Sequence, residues 1–195
     1  MKEAHTFQRI VAYLIDTFIV ALVLVLLTAW IPKSTQYKDA VKQEETLMND
    51  YINKNINESE YIDKMYEAKY IEDKESICES LISVVLSLGY FVGITYYCKG
   101  QTLGKKAMHI KIVNEEGKEA SYIQLFGRSL IHNGCLTSTI SIIFLLFIKS
   151  NQYSYTVGVL GVIQSLIMIS STIMIICRKD KRGLHDLICR TKVIE

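Results

Sequence analysis

Four stretches of the chain carry no Asp, Glu, Lys or Arg: Thr17–Pro32, Ser80–Cys98, Ser129–Ile148 and Ser150–Cys177. A helix needs roughly 20 apolar residues to cross the hydrocarbon core of a bilayer. Extended to their flanking apolar positions, these stretches predict transmembrane helices over about 10–31, 77–98, 123–148 and 157–177. The first follows Lys2 and Arg9 in the manner of a signal peptide. It is long, however, it contains Asp16, and its end at Leu27-Thr28-Ala29-Trp30 is a poor cleavage site, so an uncleaved helix is expected.

The polar stretches between them are patterned differently. In 33–76, Val41, Leu47, Met48, Tyr51, Ile52 and Ile56, then Tyr61, Ile62, Met65, Tyr66, Tyr70 and Ile71, recur at helical spacing with a break at Asn53–Ser59. This predicts an external insertion folded as a hairpin of two amphipathic helices. In 107–121, His109-Ile110-Lys111-Ile112-Val113 alternates and Asn114–Gly117 supplies a turn, predicting a small β-hairpin to which Lys192-Val193-Ile194 adds a third strand.

Charge then orients the chain. Half of the 195 residues are hydrophobic, with 22 basic and 20 acidic residues, as in an ordinary globular protein. Their placement is not ordinary, since eighteen charged residues fall between Lys33 and Glu75. Four spans put both termini on one side. That side carries thirteen Lys and Arg, while the other carries eight Lys, seven of them among eleven acidic residues. The positive-inside rule places both termini in the cytoplasm. Trp30, Tyr153 and Tyr155 are then expected at the outer interface, and Tyr96, Tyr97 and Tyr122 at the inner one. The expected fold is an all-α membrane protein, a single domain over 1–195, with four transmembrane helices, a cytoplasmic β-hairpin and an extracytoplasmic helical hairpin. A soluble enzyme, a disordered chain and a disulfide scaffold are excluded, and the charge balance gives no sign of nucleic acid. Five cysteines without C-x-x-C spacing read as apolar packers rather than metal ligands.

An ionisable side chain inside a span costs about 2.5–3.5 kcal/mol on insertion scales, so each needs a partner or a purpose. Asp16 and Arg128 lie at similar depth in helices that run the same way, which predicts an Asp16–Arg128 pair extended by His132, with Glu79 reaching water near the outer end of the second span. Two readings are open: an ion or proton pathway, or a neutralised pair that fixes helix packing. His185-Asp186 has no nucleophile signature beside it, and Gly100-Gln101-Thr102-Leu103-Gly104-Lys105 lacks Walker spacing, so it reads as a tight turn carrying positive charge. No catalytic residue, metal site or cofactor is predicted, and the chain is not expected to be an enzyme.

Three blocks carry a family resemblance. Phe7-Gln8-Arg9-Ile10-Val11-Ala12-Tyr13-Leu14-Ile15-Asp16 resembles the opening of the RDD family of prokaryotic membrane proteins. The segment from Gly100 to Lys105, with Ile110–Val113, Gly117 and Arg128, resembles its central block. Arg182-Gly183-Leu184-His185-Asp186, with Thr191 and Val193, resembles its closing block. The resemblance implies that Arg9, Asp16 and Asp186 are the family's named residues, that the protein sits in a bacterial cell membrane, and that its activity lies in transport. Depth and helical phase then suggest a charge chain Asp186–Arg9–Asp16–Arg128. The leading functional reading is transport or sensing of an ion or small solute by a homodimer, with Asp16 titrating and Arg9, Arg128 and His132 tuning it. The alternative is an accessory or immunity-type protein whose insertion 33–76 binds an extracytoplasmic protein partner. In either case the lipid bilayer is a partner.

Overall fold

A computed structural model describes residues 2–195. Helix α1 (Thr6–Thr28) starts where the His5 N–H donates to Gln8 Oε1 at 2.9 Å. Helices α2 (Thr35–Ile52) and α3 (Glu58–Glu75) form the expected hairpin. Their starts are set by short polar side chains: Ser34 Oγ accepts from Tyr37 N–H, and Asn57 Oδ1 accepts from Glu60 N–H. Such caps satisfy backbone donors that a helix start leaves free. Helix α4 (Ile77–Tyr97) contains a π-helical turn at Gly89–Ile94. The short helix α5 (Leu103–Ala107) is capped by Thr102, and strand β1 (Lys111–Asn114) follows. Helices α6 (Tyr122–His132) and α7 (Cys135–Phe147), then the long α8 (Ser150–Cys177), complete the bundle. The chain closes with α9 (Leu184–Ile188) and β2 (Thr191–Ile194).

Among the described residues, three helices are long and apolar enough to cross a membrane: α1, α4 and α8. The stretch expected as one span over 123–148 is instead two helices, α6 and α7, bent by 69°; counted as one broken span, they make a fourth. The break has a local cause. Gly134 takes φ +68, a left-handed conformation that glycine adopts freely, and it ends the ladder just after Asn133.

The expected β-hairpin over 107–121 is corrected. Ala107 ends a helix, and the chain after the turn at Gly117 makes only an isolated bridge, Val113 to Glu119. The partner of β1 is β2, antiparallel, with Ile112 opposite Val193 and Asn114 opposite Thr191. Lys118–Tyr122 offers no alternating apolar face, whereas Val193 of the expected third strand packs with Ile110 and Ile112 in the core, and Ile194 is buried as well. A bridge from Glu3 to Ile194 ties the N-terminal segment to the same edge, so both ends of the chain meet on one face of the bundle. We call this the terminal face. Below it lies the tightest part of the core, where Ala4, Ala12, Val92, Leu125 and Val193 pack with Ile110 and Ile112.

The α2–α3 hairpin sits at the opposite end, against α8. Tyr153, expected as an interfacial anchor, is buried there. Its hydroxyl donates to Asp73 Oδ2 at 2.9 Å and its ring meets Tyr70 edge-on. Ser154 Oγ donates to the Tyr66 carbonyl. An amphipathic hairpin needs a polar contact to dock on an apolar helix end, and Tyr153 provides it while burying its ring. Glu79 pairs with Lys33 at the foot of the hairpin rather than standing alone in water.

Candidate functional site

Two buried carboxylates organise the terminal face. Asp16, on α1, is 0% exposed. Its Oδ1 accepts from the Tyr90 hydroxyl at 2.7 Å and from the Gly104 N–H at 2.7 Å. Its Oδ2 accepts from Thr102 Oγ1 at 2.5 Å and lies 3.3 Å from Lys105 Nζ. Four donors on two oxygens satisfy a buried carboxylate, which would otherwise carry a large desolvation penalty.

The turn after α4 is built to reach this group. Gly100, at φ +91, lets the chain press on β1, since a Cβ there would overlap the Ile112 carbonyl. The Ile112 N–H donates back to the Gly100 carbonyl at 2.8 Å. Gly104 admits Asp16 itself, because a Cβ at that position would stand 2.8 Å from Oδ1. The Gly- and Lys-rich turn thus cradles an anion, and that anion is the protein's own aspartate. Tyr90 comes from the π-helical turn of α4, a local irregularity often found where a side chain must be re-aimed.

Asp186, also 0% exposed, is the second centre. Arg9 Nη2 donates to Oδ2 at 2.5 Å, and Arg128 pairs with Oδ1. Thr191 Oγ1 donates to Oδ1 and the Gly183 N–H donates to Oδ2, both at 3.2 Å. Arg9 also donates to the Lys181 carbonyl, which clamps the start of α1 to the tail. Gly183 is required by packing: a Cβ there would meet Ser171 Oγ at 2.6 Å. His185 Nδ1 lies 2.8 Å from Ser171 Oγ, which also accepts the Leu184 N–H. His185 Nε2 lies 3.5 Å from Asp186 Oδ2. Burial, with Arg128 close by, holds His185 well below its ordinary value, so the ring is neutral.

The expected Asp16–Arg128 pair does not form, and the expected charge chain is redrawn. Arg9 does meet Asp186, but no ion pair joins Asp16 to Arg9 or to Arg128 among the described residues. The reason is the inserted turn: α5 packs on α1, and Lys105 takes the place beside Asp16 that similar depth alone assigned to Arg128. Asp186 from the tail then serves both arginines.

Between the two centres lies a cavity of about 280 Å³. Arg9, Lys105 and Arg128 line it with His132 and His185, and no acidic side chain does. Burial draws the Lys105 ammonium down to about 8, against the opposing pull of Asp16. Among the described residues, two buried polar atoms on this wall, His132 Nδ1 and Asn133 Oδ1, have no hydrogen-bond partner. The rings of Tyr13, His132 and His185 follow one another at 4.8 and 4.2 Å between centroids.

Sequence reasoning picked out Arg9, Asp16, Arg128, His132, His185, Asp186 and the turn residues Gly100, Gln101, Thr102, Gly104 and Lys105, and the structure gathers all of them at the terminal face. Gln101 contributes a donor to the Ile110 carbonyl. Tyr90 and Ser171 were not picked out. Tyr90 carried a usable signal, since a phenol deep in an apolar span needs a polar partner.

Long apolar helices and buried ion pairs at one end define a membrane protein built around two carboxylate centres. Residues 3–190 match the RDD family, and the chain belongs to it. It is similar to two Bacillus subtilis (strain 168) proteins, the uncharacterized protein YxaI, 30% identical over 58% of this chain, and the uncharacterized protein YckC, 31% identical over 63%. The match spans 56% and 65% of those two proteins' own lengths. No solved structure matches the chain.

Proposed function

We propose that this RDD-family protein binds a small anionic solute in the terminal-face cavity, and transports or senses it. The supporting observation is the charge balance of that cavity. Three cations line it, while the buried carboxylates behind them, among the described residues, are two, Asp16 and Asp186. One positive charge is left in a poorly solvated place, where an anion would lower the energy. Asp16 has a structural role in this reading, because every lone-pair direction facing its neighbours is occupied. The solute contacts fall to Arg9, Lys105, Arg128 and His132. No step of covalent chemistry is assigned.

In this reading the protein is a multi-pass component of a bacterial cell membrane, with the terminal face and both termini in the cytoplasm and the α2–α3 hairpin outside. A homodimer suits it, since so few helices barely enclose a pathway. The uncovered face of α8, with Gly158, Gly161 and Leu166, supports that arrangement.

A second reading, an accessory or interaction protein, draws on the hairpin. Its tip exposes Met48, Ile52 and Ile62 around the stacked pair Tyr51–Tyr61, a surface suited to an extracytoplasmic protein partner. Proteoliposomes decide between the two. Flux or saturable binding of acetate, phosphate or chloride above empty vesicles is expected. If none of these salts moves or binds, and deleting 36–75 abolishes the cellular phenotype, the interaction reading replaces the first.

A further inference from the structure

The cavity is not a plain solute site, because one part of its wall is cationic and another is apolar. At the terminal face it is cationic, as described. Its other wall is largely apolar, with Ile10 and Leu14 of α1 and Met168, Thr172 and Ile175 of α8. Helices α1 and α8 are both candidate spans, and their main packing partners are others: α1 rests on α4 and α5, and α8 on α3, α6, α7 and α9. Ile10, Leu14 and Thr172 are exposed at the seam. The cavity therefore opens sideways, between two helices that hydrocarbon surrounds. A hydrated ion has no reason to enter by that route. An acyl chain does.

The polar end has unused capacity. Arg128 directs Nη1 at Asp186 and Thr191, which leaves Nη2 and Nε for the cavity. Lys105 Nζ, held by Asp16 and Thr102, has a third proton free. His132 Nδ1 and Asn133 Oδ1 are buried without partners on the same wall. A buried polar atom in that state ordinarily has an unseen partner. At about 280 Å³ the cavity is small beside ligand pockets of about 300–1,000 Å³, so it suits a head group and a few methylenes and not a whole lipid.

We infer that the seam between α1 and α8 admits an anionic amphiphile from the bilayer, a carboxylate or phosphate head group on an acyl chain. The head group meets Arg128, Lys105 and His132, and the chain lies along Leu14 and Met168. This rests on the anion-binding reading above and names its ligand class. Binding is non-covalent and needs no co-reactant.

The test uses the full chain purified in a non-ionic detergent, with thermal unfolding followed as oleate, dodecyl phosphate, acetate or inorganic phosphate is added. Oleate and dodecyl phosphate should raise Tm in a saturable way, at concentrations at least about tenfold below those at which acetate and phosphate do so. Thr172→Trp, or Leu14→Trp if the first folds poorly, closes the seam and should weaken amphiphile binding on the order of tenfold or more, a 1.4 kcal/mol step. His132→Phe should weaken it as well. If the short anions stabilise as strongly as the amphiphiles, the lipid inference is overturned and the solute reading stands. If no anion stabilises, both fall. Equal stabilisation of wild type and both tryptophan variants means detergent-like surface adsorption and also overturns the inference.

Discussion

The main-chain N–H of Gly104 donates to the Asp16 carboxylate at 2.7 Å across 88 residues of chain. Because a Cβ at position 104 would also overlap the Ala12 carbonyl, the contact exists only with glycine there. Gly104→Ala is expected to destabilise the protein by about 1–3 kcal/mol, the range for an overpacked site. Gly89→Ala and Gly93→Ala, with open space around them, serve as controls and should leave the melting temperature in detergent essentially unchanged. Equal losses at all three positions would refute the close approach.

Asp186 neutralises two guanidinium groups, so its removal strands both. Asp186→Asn should cost about 3–5 kcal/mol, as breaking a buried pair from one side does. Adding Arg128→Met should recover part of that loss, because one stranded charge goes with it. A double mutant no better than Asp186→Asn, in thermal stability or expression, would argue against the shared pair.

Asp16→Asn replaces an acceptor of four hydrogen bonds with a group whose amide nitrogen faces donors. Both Lys105 and the turn lose their anchor. The expected result is poor expression and disassembly rather than a well-folded, inactive protein. Recovery of normal stability with loss of solute response would return Asp16 to the role of titrating group.

Lys105 supplies a pH dependence. Its neighbours are Asp16 and Arg9 on α1, Thr102 in the turn and Arg128 on α6, and burial lowers its value from 10.5 to about 8. A lowered folded value means that the unfolded chain binds more protons between about 8 and 10.5, so this group's contribution to stability rises with pH across that window. Anion binding should follow the opposite course, falling as pH rises through about 8 and the ammonium loses its charge. Titrating oleate binding between pH 6.5 and 9.5 checks this, and a flat profile would remove Lys105 from the site.

The hairpin is held to the bundle by few polar contacts, of which Tyr153–Asp73 is the most buried. Tyr153→Phe should cost about 1 kcal/mol locally. It should speed amide hydrogen exchange in α3 while leaving α1 and α4 unaffected. Uniform protection in both proteins would show that apolar packing alone docks the hairpin.

Much of this architecture is legible along the chain, because it depends on properties each segment carries by itself. Uncharged runs of about twenty residues must be buried in lipid or in protein wherever they go. The hairpin's helices end at Ile52 and begin at Glu58 because Asn57 caps the second, which is local chemistry. Blocks containing Arg9, Asp16, Gly104 and Asp186 likewise identify which polar residues matter. Pairing is different. Depth within a helix is readable from sequence, but which neighbour stands at that depth is not. The sequence offered Asp16 a partner in Arg128, while the fold inserts α5 between them and hands Asp16 to Lys105. It offered β1 two partners, the next segment and Lys192-Val193-Ile194, and the packing of Val193 against Ile112 selects the far end of the chain. Low-dielectric ion pairs and strand registers are settled by whichever group arrives at about 3 Å, and only tertiary packing decides that. Most of the eighteen charged residues of 33–76 needed no such decision, because water serves them alike; Asp73, which meets Tyr153, and Lys33, which meets Glu79, are exceptions.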